Sequence, residues 1–399
     1  MWNSGVLPED ALRDILMRLH PKQLARLKCV CKSWLSLLSD PLFTTSHHTL
    51  RNTLPHNHFT IVRAENHHIS SFNTSTAQPL TPLPTPLVGN LVGTCNGLVC
   101  LRSFGGKEIV LWNPLTRKYK RVINPIGSNK FVGGKISFSF GFGLDVDGFS
   151  FVCLRIVSRR WGDELIADVE IYSTLLDSWR ALEGEFRFNL LDYTNCVIVK
   201  GVPYWTGIVN NLDKDEDDDG KEVFRKVVLG FDVRKGVFKE LEYPQFTCQG
   251  GLRDCFVEFE GCLGVIMRRA IEAFNQCVDI WVLDEEESCW VKKFSVGPIN
   301  VNIAGLVGFS IDKNVLGVDG DGNLFLYDSK TNEIKQVYSD VGNYWYIDIR
   351  GYTESLVSVP GMIGIETQEM AVSKMSTDLL RMEVNDFGIE SNITTISSV

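Results

Sequence analysis

The sequence predicts an α+β multidomain chain. A small three-helix module (residues 1–45) precedes an all-β propeller of six blades, seven being the alternative count (46–360), and a flexible acidic C-terminal tail (361–399). Three observations predict this. Residues 7–39 carry apolar side chains at helical spacing. From about residue 58 to 360, short Val/Ile/Phe/Leu-rich runs alternate with Gly, Asn and Asp turns, an all-β texture. Within that region one strand–turn–strand unit recurs roughly every 50 residues, the period of a propeller blade.

The first helix is read from "LPEDALRDILMRL", residues 7–19. Pro8 suits a helix start, and Glu9 and Asp10 complement the positive end of the dipole. Leu12, Ile15, Leu16 and Leu19 share one stripe, with an Asp14–Arg18 pair on the outside. His20-Pro21 stops this helix, because the residue before proline leaves the α region. A second helical pattern runs from Lys22 to Ser39, with a break in its middle as an alternative. On it Leu24, Leu27, Cys31, Trp34, Leu35 and Leu38 fall in one stripe, widened by Val30 and Leu37, while Cys29 faces away. Asp40-Pro41 ends it.

"CVCKSW" (29–34) raises a metal or thiol reading. Helical positions i and i+2 point about 200° apart, so Cys29 and Cys31 cannot grip one ion. Cys31 is expected in the apolar stripe as a small hydrophobe. A module of some forty residues with this much leucine is marginal alone and needs a partner over its apolar faces.

Here the residues resemble a known motif. Leu7, Pro8, Ile15, Leu16, Leu19, Leu24, Val30, Cys31, Lys32, Trp34, Leu37, Asp40, Pro41 and Phe43 closely resemble the F-box of plant F-box proteins. His20 stands where that family usually has proline. The resemblance implies docking on a Skp-type adaptor and through it a cullin, with Leu7, Pro8, Ile15, Leu16, Leu19, Leu24, Val30, Cys31, Trp34 and Leu37 divided between internal packing and adaptor contact.

The repeat unit appears at 110–122, 169–182, 228–241, 278–294 and 324–337. Its aligned aromatics are Trp112, Tyr172, Phe231, Trp281 and Tyr327, at spacings of 60, 59, 50 and 46, and 67–84 is a degenerate first copy centred on Phe72. Strand pairs such as "GTCNGLVCL" and "CVIVKGVPYWTG" complete the blades. The order of these segments resembles the associated domain of plant F-box proteins. It is kelch-like only, since the Gly-Gly pairs fall off the kelch register. The Pro-rich stretch 76–87 is an extended connector.

Composition excludes several functions. A net charge of -9 argues against nucleic-acid binding. No signal peptide or membrane span is legible. The eleven cysteines are odd in number and lack any Cys-x-x-Cys, so they read as reduced thiols in the cytosol or nucleus. All seven histidines lie at or before His68, which removes a Ser-His or Cys-His machine from the propeller. The clusters His47-His48, His56/His58 and His67-His68 read as plain loop residues.

Other candidates have bland readings. "DKDEDDDG" (213–220) matches the start of a calcium loop, but Lys226 stands where its bidentate Glu belongs. "VDGDGNL" (318–324) reads as a hairpin turn. "GFGLDVDG" (141–148) lacks the strand–turn–helix context of a dinucleotide site. "SRRWGDE" (158–164) is a charged aromatic turn, and Arg159, Arg160 and Trp161 are the substrate-binding candidates.

The expected function is therefore substrate recognition in an SCF-type ubiquitin ligase, by a chain without catalytic residues, cofactor or metal, whose propeller binds an unknown protein. A non-degradative scaffold or small-ligand receptor with the same adaptor contact is the alternative, and an enzyme on a propeller is the reading from another class.

Overall fold

The computed structural model describes residues 8–53, 58–64, 68–73, 81–104, 106–124, 135–145, 147–161, 164–191, 196–210, 224–244, 255–272, 275–284, 286, 288–309, 314–338 and 347–365. Leu7, the acidic stretch 213–220 and the tail from 366 onward lie outside these residues. Among the described residues no helix is long and apolar enough to cross a membrane.

The N-terminal module has four helices rather than three: α1 Glu9–Met17, α2 Pro21–Leu27, α3 Lys32–Leu37 and α4 Pro41–Asn52. The pattern expected from Lys22 to Ser39 breaks at 28–31. Cys31 does not join an apolar stripe. It takes an extended backbone and caps α3, its Sγ accepting from Trp34 N at 3.5 Å, and both Cys29 and Cys31 are exposed. His20 and Asp40, expected as stops, are also starts: each caps the helix that opens with the next proline. The expected Arg18–Asp14 pair forms at 2.9 Å.

The fourth helix crosses the expected boundary at residue 45. His47 and His48, read as loop residues, are buried on it. His47 Nε2 meets Leu19 O at 2.9 Å, and its ring stacks on Phe43. The module's core is Leu16, Leu24, Leu38 and Phe43.

The rest is a propeller of six antiparallel sheets. Blade 1 comprises Asp348–Thr353, His58–Arg63, Ile69–Asn73 and Thr81–Pro82 from the centre outward, so a C-terminal strand closes the ring against an N-terminal one. Blade 2 spans Asn90–Ile123, blade 3 Lys135–Ala181, blade 4 Phe188–Glu242, blade 5 Cys255–Ile299 and blade 6 Ile303–Tyr338. The innermost strands neighbour one another in that order, and blade 6 returns to Asp348–Thr353. That closure excludes a seventh blade. The fourth strands of blades 3, 4 and 6 are largely exposed and carry Lys, Arg or Glu, which protects an edge from pairing with other chains.

The aligned aromatics occupy one structural position. Phe72, Trp112, Tyr172, Phe231, Trp281 and Tyr327 all lie on the third strand of their blades. All but Trp281 are buried. The turn that follows is equally regular. Asn113, Asp232, Asp284 and Asp328 each accept a backbone N–H two or three residues on. Four residues after that position the backbone turns left-handed, at Arg117, Asp177, Gly236, Ser288 and Asn332 in blades 2 to 6.

The chain continues past ring closure. Residues 354–362 cross the face of the propeller, and Ile363–Gly364 pairs with Lys118–Tyr119 as a fifth strand of blade 2. The expected tail therefore does not begin at 361. Asn113 Nδ2 donates to Ser355 O and Val357 O, at 3.0 and 2.8 Å. Gly97, at φ 78° in the Asn96-Gly97 turn, leaves the room that Ser355 fills.

Candidate partner-docking surfaces

The helical module sits against one face of the propeller. Its core is completed by Leu356, from the crossing segment, and by Leu115, at the tip of the third-to-fourth turn of blade 2. Lys22 Nζ lies 3.1 Å from Glu354, and Thr353 Oγ1 donates to Asn52 Oδ1 at 2.8 Å. The apolar surface expected to need a partner is thus partly covered by the chain's own propeller.

This division sorts nine of the ten docking candidates, Leu7 lying outside the described residues. Leu16 and Leu24 are buried and hold the module together. Leu19, Trp34 and Leu37 are half-buried against that core. Ile15 and Val30 remain 47% and 62% exposed, beside exposed Pro8 and Cys31. Leu35, absent from the sequence candidates, is 47% exposed and belongs with them. Sequence periodicity put Leu35 in the buried stripe, and only the break before α3 turns it outward.

The charge around Val30 and Leu35 is one-sided, whereas exposed Asp14 stands next to Ile15. Between Ile15 and Ser39 the sequence holds five basic residues and no acidic one. The pKa of Lys28 is pulled down to about 8, first by burial and then by the charge of Lys118 on blade 2. Exposed Lys32, Arg117 and Lys118 carry the basic strip onto the propeller. An apolar centre with a basic border suits a protein partner with an acidic rim.

The second surface is at the other end of the blades. Antiparallel strands put first-to-second and third-to-fourth turns on the helical-module face, and second-to-third turns on the opposite face. Arg159, Arg160 and Trp161 end the second strand of blade 3 and so lie on that opposite face. Arg159 pairs with Glu164 at 3.2 Å and lies over the Trp161 ring at 5.8 Å. Arg160 stacks 4.3 Å over Phe224 of blade 4. Trp161 stays 55% exposed. The structure thus assembles all three candidates into one aromatic–guanidinium corner that bridges two blades. The expected hairpin at 318–324 is a turn on the same face, with Asp319 Oδ1 accepting from Asp321 and Asn323 N–H.

Among the described residues no group of three or more His, Cys, Asp or Glu is placed to hold a metal ion. Cys95, Cys100 and Cys196 are buried thiols whose pKa values burial pushes up, which leaves them protonated and inert.

Comparison with known proteins agrees with this architecture. Residues 6–46 match the F-box domain, and residues 56–359 match the F-box associated beta propeller domain. An F-box/kelch-repeat protein of Arabidopsis thaliana is 26% identical over 320 residues, covering 74% of this chain and 81% of its own. An F-box protein of the same plant is 25% identical over 361 residues, covering 84% of this chain and 82% of its own.

Proposed function

From a chain that belongs to the F-box proteins with an F-box associated β-propeller domain, we propose a substrate-recognition subunit of an SCF-type ubiquitin ligase. The F-box docks on a Skp-type adaptor, and the adaptor links to a cullin. The propeller captures a target protein on the face that carries Arg159, Arg160 and Trp161. The observation that carries this reading is the exposed set Ile15, Val30 and Leu35 on a module whose core the propeller already completes. Apolar residues that the fold does not need for itself, with basic residues bordering Val30 and Leu35, suit a protein partner.

In this reading the chain performs no bond chemistry. It raises the effective concentration of target lysines near a ubiquitin-charged enzyme. The F-box packs directly on the propeller, which limits unproductive orientations.

The test is affinity capture of the full chain from plant cells with the proteasome blocked, beside Val30→Asp and Trp161→Ala. Val30→Asp is expected to lose the adaptor and keep the target. Trp161→Ala is expected to keep the adaptor and weaken target capture. Retention of the adaptor by Val30→Asp sinks the docking assignment. A captured target whose level is unchanged by proteasome inhibition sinks the degradative role.

A further inference from the structure

The third-to-fourth turns of blades 2 to 6 can be aligned on their left-handed residues. The tip, two places earlier, is Leu115, Leu175, Arg234, Glu286 and Lys330 in turn. Three tips are charged, as a turn projecting into water favours. Leu115 is apolar because the F-box covers it. Leu175 stands in the same register on the same face, one blade along, and among the described residues it is left exposed. It is 61% exposed and its neighbour Leu176 is 66% exposed. Phe149, in the first-to-second turn of the same blade, adds a third exposed apolar group at 42%.

The turn that carries this patch is tied to the F-box side of the propeller through blade 2. Val30 lies two residues from Lys28, whose charge interacts with that of Lys118. Lys120, on the same side of that strand as Lys118, gives its Nζ to Asp177 Oδ1 at 2.8 Å. Asp177 directly follows Leu176. The acidic groups around the patch are engaged within the fold. Asp177 also accepts from Tyr172 OH, Asp145 from Ser173 Oγ, and Asp147 from the N–H groups of Phe149 and Ser150. What the turn offers a partner is its leucine pair.

The geometry points to a second adaptor-docking site on blade 3, formed by Leu175 and Leu176 beside Phe149. The occupant is the same Skp-type adaptor that covers Val30, so this inference rests on the docking reading above. Lys28, Lys32, Arg117 and Lys118 place positive charge on the F-box and blade 2, which suits a partner with an acidic rim. Two-point docking fixes the propeller's angle to the adaptor, where a single patch would permit rocking.

The test measures binding of the purified full chain to a plant Skp-type adaptor. Leu175→Ser/Leu176→Ser is expected to weaken binding about tenfold, the scale of a contributing hot spot. Both residues are exposed, and an unchanged melting temperature confirms that the variant folds. A photo-crosslinker replacing Leu176 is expected to join the adaptor. If Val30→Asp abolishes binding while the double variant binds like the parent, the second site is wrong and the F-box reading stands. A cross-link to a second copy of this chain also overturns the second site. If Val30→Asp itself leaves binding intact, the adaptor reading fails and this site falls with it.

Discussion

Lys22 of the F-box lies 3.1 Å from Glu354, the residue that follows the ring-closing strand of the propeller. Two residues later Leu356 enters the F-box core beside Leu16 and Phe43. The segment that seals the propeller therefore also seats the F-box. Leu356→Ala is expected to cost about 2–4 kcal/mol, the range for a buried leucine whose site only partly collapses. Hydrogen exchange should localise the loss, with faster exchange in residues 9–52 and the propeller strands protected as before. Unchanged F-box protection would refute the shared core.

Leu16 and Val30 should separate folding from docking. Leu16→Asp buries an unpaired charge and is expected to unfold the module. Val30→Asp is expected to leave helicity intact by circular dichroism while abolishing adaptor pull-down. Loss of fold in Val30→Asp would show that Val30 is structural.

His47 makes the F-box acid-sensitive. Burial is the main cause that holds its pKa below the ordinary 6.5, with smaller contributions from Arg51 and His20, against a raising effect of the Leu19 carbonyl. The unfolded chain binds the proton more tightly, so stability is full above pH 6.5 and falls as pH drops through the folded-state pKa. His47→Gln, which keeps a donor for Leu19 O, is expected to flatten the urea midpoint between pH 7 and 5. An equally steep decline in the variant would remove His47 as the cause.

Lys28 should make docking depend on pH in the alkaline range. Its pKa of about 8 leaves it partly neutral above that pH. An acidic rim placed over it favours the charged form, so docking takes up protons there. Adaptor affinity is expected to fall severalfold from pH 7 to 9, and Lys28→Met to remove most of that dependence. Calorimetry in buffers of different ionisation enthalpy reads the proton uptake directly.

Ser288 tests the repeat. It holds φ 53° where blade 4 has Gly236 at φ 66°. Side chains at positive φ cost about 1–2 kcal/mol, partly offset by glycine's freer unfolded state. Ser288→Gly is expected to raise stability by about 0.5 kcal/mol, and Gly236→Val to lower it by more than 1 kcal/mol. Urea denaturation that ranks them the other way would show that the two turns are not equivalent.

The repeat was legible because its signals are local. Each third-strand aromatic, each Asn or Asp at the turn and each left-handed position lies within a dozen residues of its partners. Cys31 was misplaced for the same reason. Periodicity shows which residues could share a stripe, and without proline or glycine at the break it cannot show that the helix stops. The histidine pair of α4 was missed because its burial depends on Leu19, 28 residues away.

The amino-acid order alone therefore settled a helical F-box followed by a repeated β-blade; it read Arg159, Arg160 and Trp161 as a turn, and the structure places them at the end of a strand. The tertiary structure decided the count of six blades, because ring closure pairs Arg63 with Asp348 across 285 residues. It also decided which F-box residues stay exposed and which pack. The F-box core takes in Leu115 and Leu356 from the propeller, residues far from it in sequence. Burial is a property of what long-range partners cover, and no local spacing encodes it.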